Sequence, residues 1–139
     1  MGSDRKTFEF HATFSELDEG LDMMHLSIQR LRKAVGRGDD DRPLLLFETA
    51  LGEIGGNVLT HGNPPGVERP IEYELRFDGG VVVASLSDSG LPAHEHLSRD
   101  MPDHESESGR GLAMARSLLD ELGYERDRDV NRWRLVKQL

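Results

Sequence analysis

Two short stretches of the chain alternate between apolar and polar residues. "KTFEFHATF" at 6–14 places its phenylalanines on one side, and "PIEYELRF" at 70–77 repeats the pattern. An alternation of period two is typical of a half-buried β-strand. The "DGG" that follows the second stretch leads into the apolar run "VVVASLSD" at 81–88. We therefore predict an antiparallel hairpin at this point of the chain.

Three other stretches repeat apolar residues at spacings of three and four, which is typical of amphipathic helices. The first is predicted at about 16–35, with a capping box formed by Ser15 and Asp18 and with "GRG" at its end. The second opens at "DDDRP", with Pro43 in its first turn, and stops at "HGNPPG". The third is "GRGLAMARSLLDEL" at 109–122.

The final segment "YERDRDVNRWRLVKQL" predicts a last hairpin, with Asn131 near its turn. The polar segment from Ser89 to Ser108 predicts a long loop, and such loops in compact domains are usually functional or mobile. Strands that neighbour one another in sequence, with helices able to cover one face, favour an α+β two-layer sandwich. We expect a mixed, mostly antiparallel sheet with about three helices on one face. The length of 139 residues suits a single domain.

The predicted buried faces of the helices follow from the same spacing. They are Leu17, Leu21, Met24, Ile28, Leu31 and Val35 in the first helix, Leu46, Phe47, Ala50, Leu51, Ile54 and Val58 in the second, and Leu112, Ala115, Leu118, Leu119 and Leu122 in the third. The stripe that contains Met23 and Met24 is assigned to the core rather than to a partner groove.

Composition narrows the classes of partner and compartment. The chain has 26 acidic and 17 basic residues, a formal net charge of −9. Such a surface repels DNA and anionic lipid at long range, and it attracts a basic protein. The absence of cysteine excludes disulfides and thiolate chemistry and fits a reducing cytoplasm. No apolar run is long enough to span a bilayer, and the N-terminus lacks the apolar region of a signal peptide.

The stretch "GEIGGNVLTHG" places glycines inside a helix, although each interior glycine costs roughly 1 kcal/mol relative to alanine. Residues four apart share a helix face, so Glu53, Asn57 and His61 should lie along one side. Gly55 and Gly56 should leave an open space beside them. Asn57 offers a hard oxygen that suits Mg²⁺, and Glu53 can accept a proton from a hydroxyl. A plain solvated helix face is the alternative interpretation.

Two further glycine motifs follow along the chain. In "DSG" at 88–90, directly after an apolar strand, the carboxylate of Asp88 can accept a hydrogen bond from an exocyclic amine such as that of adenine. An ordinary turn is the alternative, since these are turn residues. "SGRGL" at 108–112 opens the third helix, where glycines leave the helix amides free to hold phosphate. A common helix start is the alternative there.

The order and spacing of these motifs resemble the GHKL ATPase superfamily, which includes gyrase and the histidine kinases. The shared set is E-x-x-x-N-x-x-x-H-G, then D-x-G after a strand, then a long loop, then G-R-G-L at the start of a helix. The short chain and its closing segment are similar to the bacterial anti-sigma factor serine/threonine kinases. The resemblance covers nearly the whole sequence and implies a Bergerat-type ATP-binding fold.

The resemblance also implies a role for each motif. Glu53 would be the catalytic base, and Asn57 would hold Mg²⁺. The residues implied to contact ATP are Asn57, His61, Asp88, Gly90, Gly109, Arg110, Gly111 and Leu112, with Asp88 at the adenine amine and the G-R-G motif at the phosphates. Residues 91–108 would form the ATP lid.

The implied biology is that of a cytoplasmic transcription regulator. Such a protein phosphorylates a serine or threonine of an anti-anti-sigma partner of the STAS type and binds a sigma factor, without contacting nucleic acid or membrane. A homodimer is one implied arrangement. The superfamily often has D-x-G-x-G in the second motif, whereas Pro92 replaces the second glycine here. Proline fixes its own φ and lacks an N–H, which predicts a stiffer or differently shaped lid hinge.

Two alternative functions are also compatible with these residues. The first keeps the fold without the chemistry, as a nucleotide-dependent module that sequesters a partner by binding alone. The second is a metal-binding protein that uses "HEH" at 94–96 together with His104, since His-x-His can chelate Zn²⁺. Histidines in a polar loop are more often solvated, so the first alternative is the stronger of the two.

Overall fold

A computed structural model of the chain describes residues 6–61, 70–89 and 107–139, and it describes the backbone alone for His61 and for 107–110. The described elements follow the predicted order. They are β1 (Thr7–Phe14), α1 (Leu17–Val35), α2 (Arg42–His61), β2 (Ile71–Asp78), β3 (Val81–Asp88), α3 (Glu107–Leu118), β4 (Glu121–Asp127) and β5 (Val130–Gln138).

The five described strands form one sheet in the order β1-β2-β3-β5-β4. Each neighbouring pair is antiparallel, so the α+β prediction is confirmed, and the sheet is wholly antiparallel in the described strands rather than mixed. The β2–β3 turn has positive φ at Gly79 and Gly80, 60° and 84°, which only glycine adopts without strain. The predicted "DGG" hairpin is confirmed.

Buried and less buried residues alternate along the central strands, which shows that one face of the sheet packs against the core. α1 contacts β1, α2 contacts β3 and β5, and α3 contacts β4. The largest fully buried side chains come from both layers and include Tyr73, Phe47, Ile28, Leu31, Leu44, Leu51, Ile54, Ile71, Leu75, Leu86 and Leu135. The helix-covered side is called the inner face below, and the opposite side the outer face.

Two predictions failed at the N-terminal end of α1, and one was confirmed at its C-terminal end. Its N-cap is Glu16, without a side-chain capping bond, so the capping box of Ser15 and Asp18 is wrong. Leu17, at the first helical position, is 42% exposed rather than buried. At the other end Gly36 has φ 72° and closes the helix, as the "GRG" sequence predicts.

α2 is capped by Asp41, whose Oδ1 accepts the N–H of Leu44 at 3.0 Å. Arg37 Nη1 donates to Asp41 Oδ2 at 2.7 Å. Partial burial acts to raise the pKa of Asp41, but the Leu44 N–H, the Arg37 hydrogen bond and the charges of Arg37 and Arg32 together hold that pKa below its usual range. This cap fixes where α2 starts, with Pro43 in its first turn.

The buried Arg32 joins α1 to α2. Its guanidinium donates to the carbonyl of Gly38 in the connection, and its Nη2 lies 3.5 Å from Glu48 Oε1 on α2. His25 Nδ1 lies 2.7 Å from Glu48 Oε2. The helix pair is therefore fixed at its polar margin as well as by its apolar contacts.

α3 differs from the prediction at both ends. It begins at Glu107, two residues before the "GRG" motif, so 107 and 108 belong to the helix and not to the predicted lid. It ends at Leu118, whose carbonyl accepts Lys137 Nζ at 2.9 Å. Leu122, predicted on the helix, lies on β4 opposite Leu135. The chain turns away after Leu118 because the backbone of Asp120 and the residues after it pairs with β5.

Candidate functional site

The carboxylate of Glu53 on α2 lies against Gly111 on α3. A Cβ added to Gly111 would be 2.5 Å from Glu53 Oε2 and 3.5 Å from its Cδ. Real Cβ atoms do not approach an oxygen so closely, so the position of this carboxylate depends on Gly111 having no side chain. The two helices contact one another, and the first and third sequence motifs meet at this point.

The glycines of α2 divide between two sides of the helix. A Cβ on Gly55 would overlap the Sδ and Cε of Met24, so this glycine allows α1 to cross closely. Gly52 and Gly56 have open space where their side chains would be. The expectation of an open space is therefore right for Gly56 and wrong for Gly55, because Gly55 faces the core.

The polar flank of α2 is formed by Glu53 and Asn57, both half-buried, beside the open space at Gly56. Ile54 and Val58 are buried on a neighbouring face of the helix that points to the core, as their spacing predicts. The backbone of α2 continues to His61, so this residue lies on the same helix one turn after Asn57. The side-chain carboxylate of Glu53 and the side-chain amide of Asn57 therefore lie at the margin between the core and the surface.

Asp88 is the last residue of β3, on the inner face, and it is only 5% exposed. Asn131 Nδ2 donates to Asp88 Oδ1 at 2.9 Å from the neighbouring strand β5. A carboxylate held in a buried position by an amide donor is a strong acceptor site, as a nucleobase amine requires.

Asn131 is the residue of this site that the sequence analysis did not find. It lies near the turn of the last hairpin, as predicted, since that turn is at Arg128, with φ 59°; the sequence analysis did not predict that it is only 2% exposed on β5. Its Oδ1 accepts Tyr124 Oη at 2.5 Å and Arg126 Nη1 at 2.9 Å. The period-two pattern of "VNRWRL" carries the signal, since Asn131 shares a face with the buried Trp133.

The first turn of α3 has backbone N–H groups of the kind that can bind phosphate. The first four N–H groups of an α-helix lack an intrahelical acceptor, and Gly109 and Arg110 fall in this first turn. Gly111, the fifth residue, lies beyond it. Gly111 therefore gives room to Glu53, whereas Gly109 and Arg110 contribute backbone N–H groups of the kind that bind anions at helix N-termini.

Leu112 is half-buried and packs against the apolar core. Several predicted features lie outside the described residues, namely Gly90, Pro92, the lid at 91–106, the "HEH" at 94–96 and His104. His61, Gly109 and Arg110 are described by backbone alone.

The outer face holds a separate group of polar residues. A cavity of about 410 Å³ is lined there by His11, Glu72, Glu74 and Ser85, among others. Within the described ranges, Glu9, His11 and Glu74 have ligand atoms within 4.8 Å of one another. Arg76 Nε already donates to Glu74 at 2.5 Å. The positive charge of Arg76 therefore partly balances the negative charge of these carboxylates. The sheet separates it from α2 and α3.

Residues 28–137 match the family model of the histidine kinase-like ATPase domain. The chain belongs to this family. Its resemblance to the GHKL superfamily is thereby confirmed. A comparison with curated proteins finds no match. Of the helices in the described ranges, none has the length and apolar character needed to cross a bilayer.

Among solved structures, the histidine kinase-like ATPase chain is similar to the crystal structure of the RsbU and RsbW domains of Rv1364c from Mycobacterium tuberculosis. The TM-score is 0.68 at 20% identity, and the match covers 95% of this chain and 32% of that one. The chain therefore spans about a third of the length of that neighbour. At this identity the likeness shows the fold, a two-layer α+β domain.

Proposed function

We propose that this histidine kinase-like ATPase domain binds ATP with Mg²⁺ and phosphorylates a serine or threonine of a protein partner, as an anti-sigma factor kinase. The observation that carries the proposal is the contact between Glu53 and Gly111. It brings a carboxylate of α2 to the N-terminal half of α3, the two segments where a base and a phosphate site are required together.

Other residues of the chain offer groups that suit a purine nucleotide. Asp88 offers a buried carboxylate acceptor to the adenine amine. Gly56, beside Glu53 and Asn57, keeps the flank of α2 open for a ligand to approach the backbone. The amides in the first turn of α3 suit phosphate oxygens, and the carbonyl of Asn57 suits Mg²⁺. Donors, acceptors and space are therefore of the kinds that Mg·ATP needs.

Glu53 is the group proposed to move a proton. Its carboxylate accepts the proton of the attacking hydroxyl, while the first-turn amides of α3 stabilise negative charge on the phosphoryl oxygens. The hydroxyl oxygen forms a bond to the γ-phosphorus of ATP while the bond from that phosphorus to the bridging oxygen breaks, and ADP leaves. Mg²⁺, held by Asn57, would supply charge neutralisation. Phosphoryl transfer depends mainly on positioning and electrostatics, and the space that Gly111 leaves for the Glu53 carboxylate beside α3 supports this role.

The proposed partner is an anti-anti-sigma protein of the STAS type, with a sigma factor as a second partner and a homodimer as the proposed assembly. The solved neighbour includes a domain named RsbW, which supports this class of partner for a chain of the same fold. The net charge of −9 favours a basic docking surface on the partner. The proposed location is the cytoplasm.

The test is transfer of labelled phosphate from ATP to purified STAS-type anti-anti-sigma proteins of the source organism. We expect transfer by the native chain and a loss of about 100-fold or more in Glu53→Gln, the range for removal of a general base. Glu72→Gln, an exposed glutamate on the outer face, is the matched control and should transfer normally.

Undiminished transfer by Glu53→Gln would remove Glu53 from the role of base. ATP binding by the native chain, without transfer to any of these proteins, would instead favour the module that sequesters a partner by binding. The two results are separated by measuring ATP binding on the same samples.

A further inference from the structure

The side chain of Asn131 lies between a guanidinium and a carboxylate. On one side its Oδ1 accepts Arg126 Nη1 at 2.9 Å and Tyr124 Oη at 2.5 Å. On the other side its Nδ2 donates to Asp88 Oδ1 at 2.9 Å. The four residues form a connected polar group on the mostly apolar inner face.

This arrangement fixes the orientation of the Asn131 amide. A guanidinium can only donate hydrogen bonds, and a carboxylate ion can only accept them. A reversed amide would set its NH₂ against Arg126 and its oxygen against Asp88, so both bonds would become repulsive contacts. Asn131 is therefore held as a donor toward Asp88.

The consequence for Asp88 concerns its hydrogen-bonding character. An N–H that donates to a carboxylate stabilises the ionised form, which accepts bonds and does not donate them. A further group that meets this carboxylate must then carry a proton to donate. The 6-amino group of adenine does so, whereas the 6-carbonyl oxygen of hypoxanthine or guanine does not.

We propose that Asn131 is a positioning residue for base specificity, which, held by Arg126 and Tyr124, keeps Asp88 as the acceptor for a 6-aminopurine. This inference rests on the proposed ATP-binding function and adds the residues that set its choice of base. A site with a fixed acceptor rejects an analogue that lacks the donor more strongly than an apolar pocket rejects a change of size.

The sheet supplies the rigidity that such a role needs. Asn131 is paired with Asp88 across β3 and β5, and with Arg126 across β4 and β5. Tyr124 packs on Trp133, with ring centroids 4.7 Å apart and planes at 49°. Each member thus projects from a strand, and side chains on regular elements hold their geometry better than those on loops.

The experiment titrates the full chain with ATP and with ITP, each with Mg²⁺. Both are purine triphosphates, but ITP has a carbonyl in place of the 6-amino group. We expect the native chain to prefer ATP by roughly tenfold to 100-fold, the range for a hydrogen bond to a charged group. In Asn131→Leu, a change to an apolar residue of similar size, ATP affinity should fall about tenfold and ITP affinity much less.

Arg126→Met is the second variant, because it keeps Asn131 and removes the donor that orients its amide. It should reduce the preference for ATP over ITP by a smaller factor than Asn131→Leu does. If circular dichroism shows that Asn131→Leu does not fold, Arg126→Met becomes the variant that tests the inference. Arg132→Met, on the outer face of the same strand, is the matched control and should keep the native preference.

Three results would count against the inference. Equal weakening of ATP and ITP binding in Asn131→Leu would show a structural role alone. An unchanged ATP:ITP preference in both Asn131→Leu and Arg126→Met would overturn the inference while leaving the proposed function intact. A native chain that binds neither nucleotide would overturn the proposed function, and the inference with it.

Discussion

Gly111 on α3 leaves the space that the carboxylate of Glu53 on α2 occupies, with Oε2 only 2.5 Å from where a Cβ would be. The two residues are far apart in sequence and belong to different helices. Because a glutamate side chain is flexible, a methyl group at position 111 would displace the carboxylate rather than unfold the helix pair.

Gly111→Ala should therefore separate activity from stability. We expect phosphate transfer to fall by about tenfold or more, since a misplaced base loses most of its effect. The unfolding temperature should stay the same or rise, because alanine favours a helix by up to about 1 kcal/mol over glycine. Transfer assays and thermal unfolding check the two effects.

Gly52→Ala is the matched control for that experiment, because it is also a helical glycine, and its added Cβ would meet open space. It should show a similar gain in helix stability without loss of transfer. Native activity in Gly111→Ala would mean that the position of Glu53 does not matter for the reaction.

Gly55 and Gly56 are neighbours in α2 with opposite surroundings, and substitution by alanine should have opposite effects. A Cβ on Gly55 would lie 2.6 Å from Met24 Sδ, whereas nothing lies within 4 Å of one on Gly56. We expect Gly55→Ala to destabilise the chain by about 1–2 kcal/mol through overpacking. Gly56→Ala should stabilise it by about 0.5–1 kcal/mol and weaken ATP binding.

Urea unfolding of the two variants, with ATP titrations alongside, tests this pair. Equal stabilisation of both would show that α1 and α2 separate easily at Met24. Tighter ATP binding in Gly56→Ala would argue against a nucleotide on the open flank of α2.

The sequence predicts the layers of this fold well, because apolar periodicity depends on local geometry. The strands at 71–78 and 81–88 follow from strict alternation, and the turn between them from "DGG". The C-terminal end of α3 could not be predicted from apolar periodicity. Leu118, Leu119 and Leu122 fit helical spacing, and Leu122 joins the sheet only because β5 offers it a partner in Leu135.

The candidate site shows the same division between local and non-local information. The spacing of Glu53 and Asn57 places both on one helix flank, and this needs no knowledge of the fold. The contact of Glu53 with Gly111, and that of Asp88 with Asn131, depend on how distant segments pack. Asn131 carries no motif, so its importance becomes visible only when β3 and β5 are known to be neighbours.

Asp41 should make the stability of the chain depend on acid pH. Its pKa is lowered in the folded state, against the effect of partial burial, by Leu44 and Arg37. Its contribution to the free energy of unfolding is therefore present above the unfolded pKa of about 3.9. It is lost as pH falls through the lower folded pKa.

Two substitutions separate the cap from the charge at this position. Asp41→Ala should cost about 1 kcal/mol at neutral pH because it removes the N-cap. Asp41→Asn keeps a capping oxygen and should cost only a few tenths of a kcal/mol, since the ion pair with Arg37 is partly exposed. Urea unfolding between pH 3 and pH 7 should show a weaker acid dependence in both variants. An unchanged acid dependence would assign it to other carboxylates.

Tyr73 should make stability depend on alkaline pH. Its hydroxyl is buried and lies 2.7 Å from Ser27 Oγ, which itself donates to the carbonyl of Met24. Ser27 has a single hydroxyl proton, so Tyr73 is the donor in this pair. Burial raises the pKa of Tyr73 strongly, and the negative charge of Glu48 adds to that rise.

The sign of the effect follows from this raised pKa. The neutral Tyr73 contributes fully below its unfolded pKa of about 10, and its contribution is lost as pH rises above that value. Tyr73→Phe should cost about 1 kcal/mol at pH 8, since it removes one buried hydrogen bond. From pH 9 to pH 11 the native chain should lose stability more steeply than the variant, because only the native unfolded state can ionise at this position. Urea unfolding of both chains over this range measures the difference, and parallel curves would mean that Tyr73 ionises as readily when folded as when unfolded.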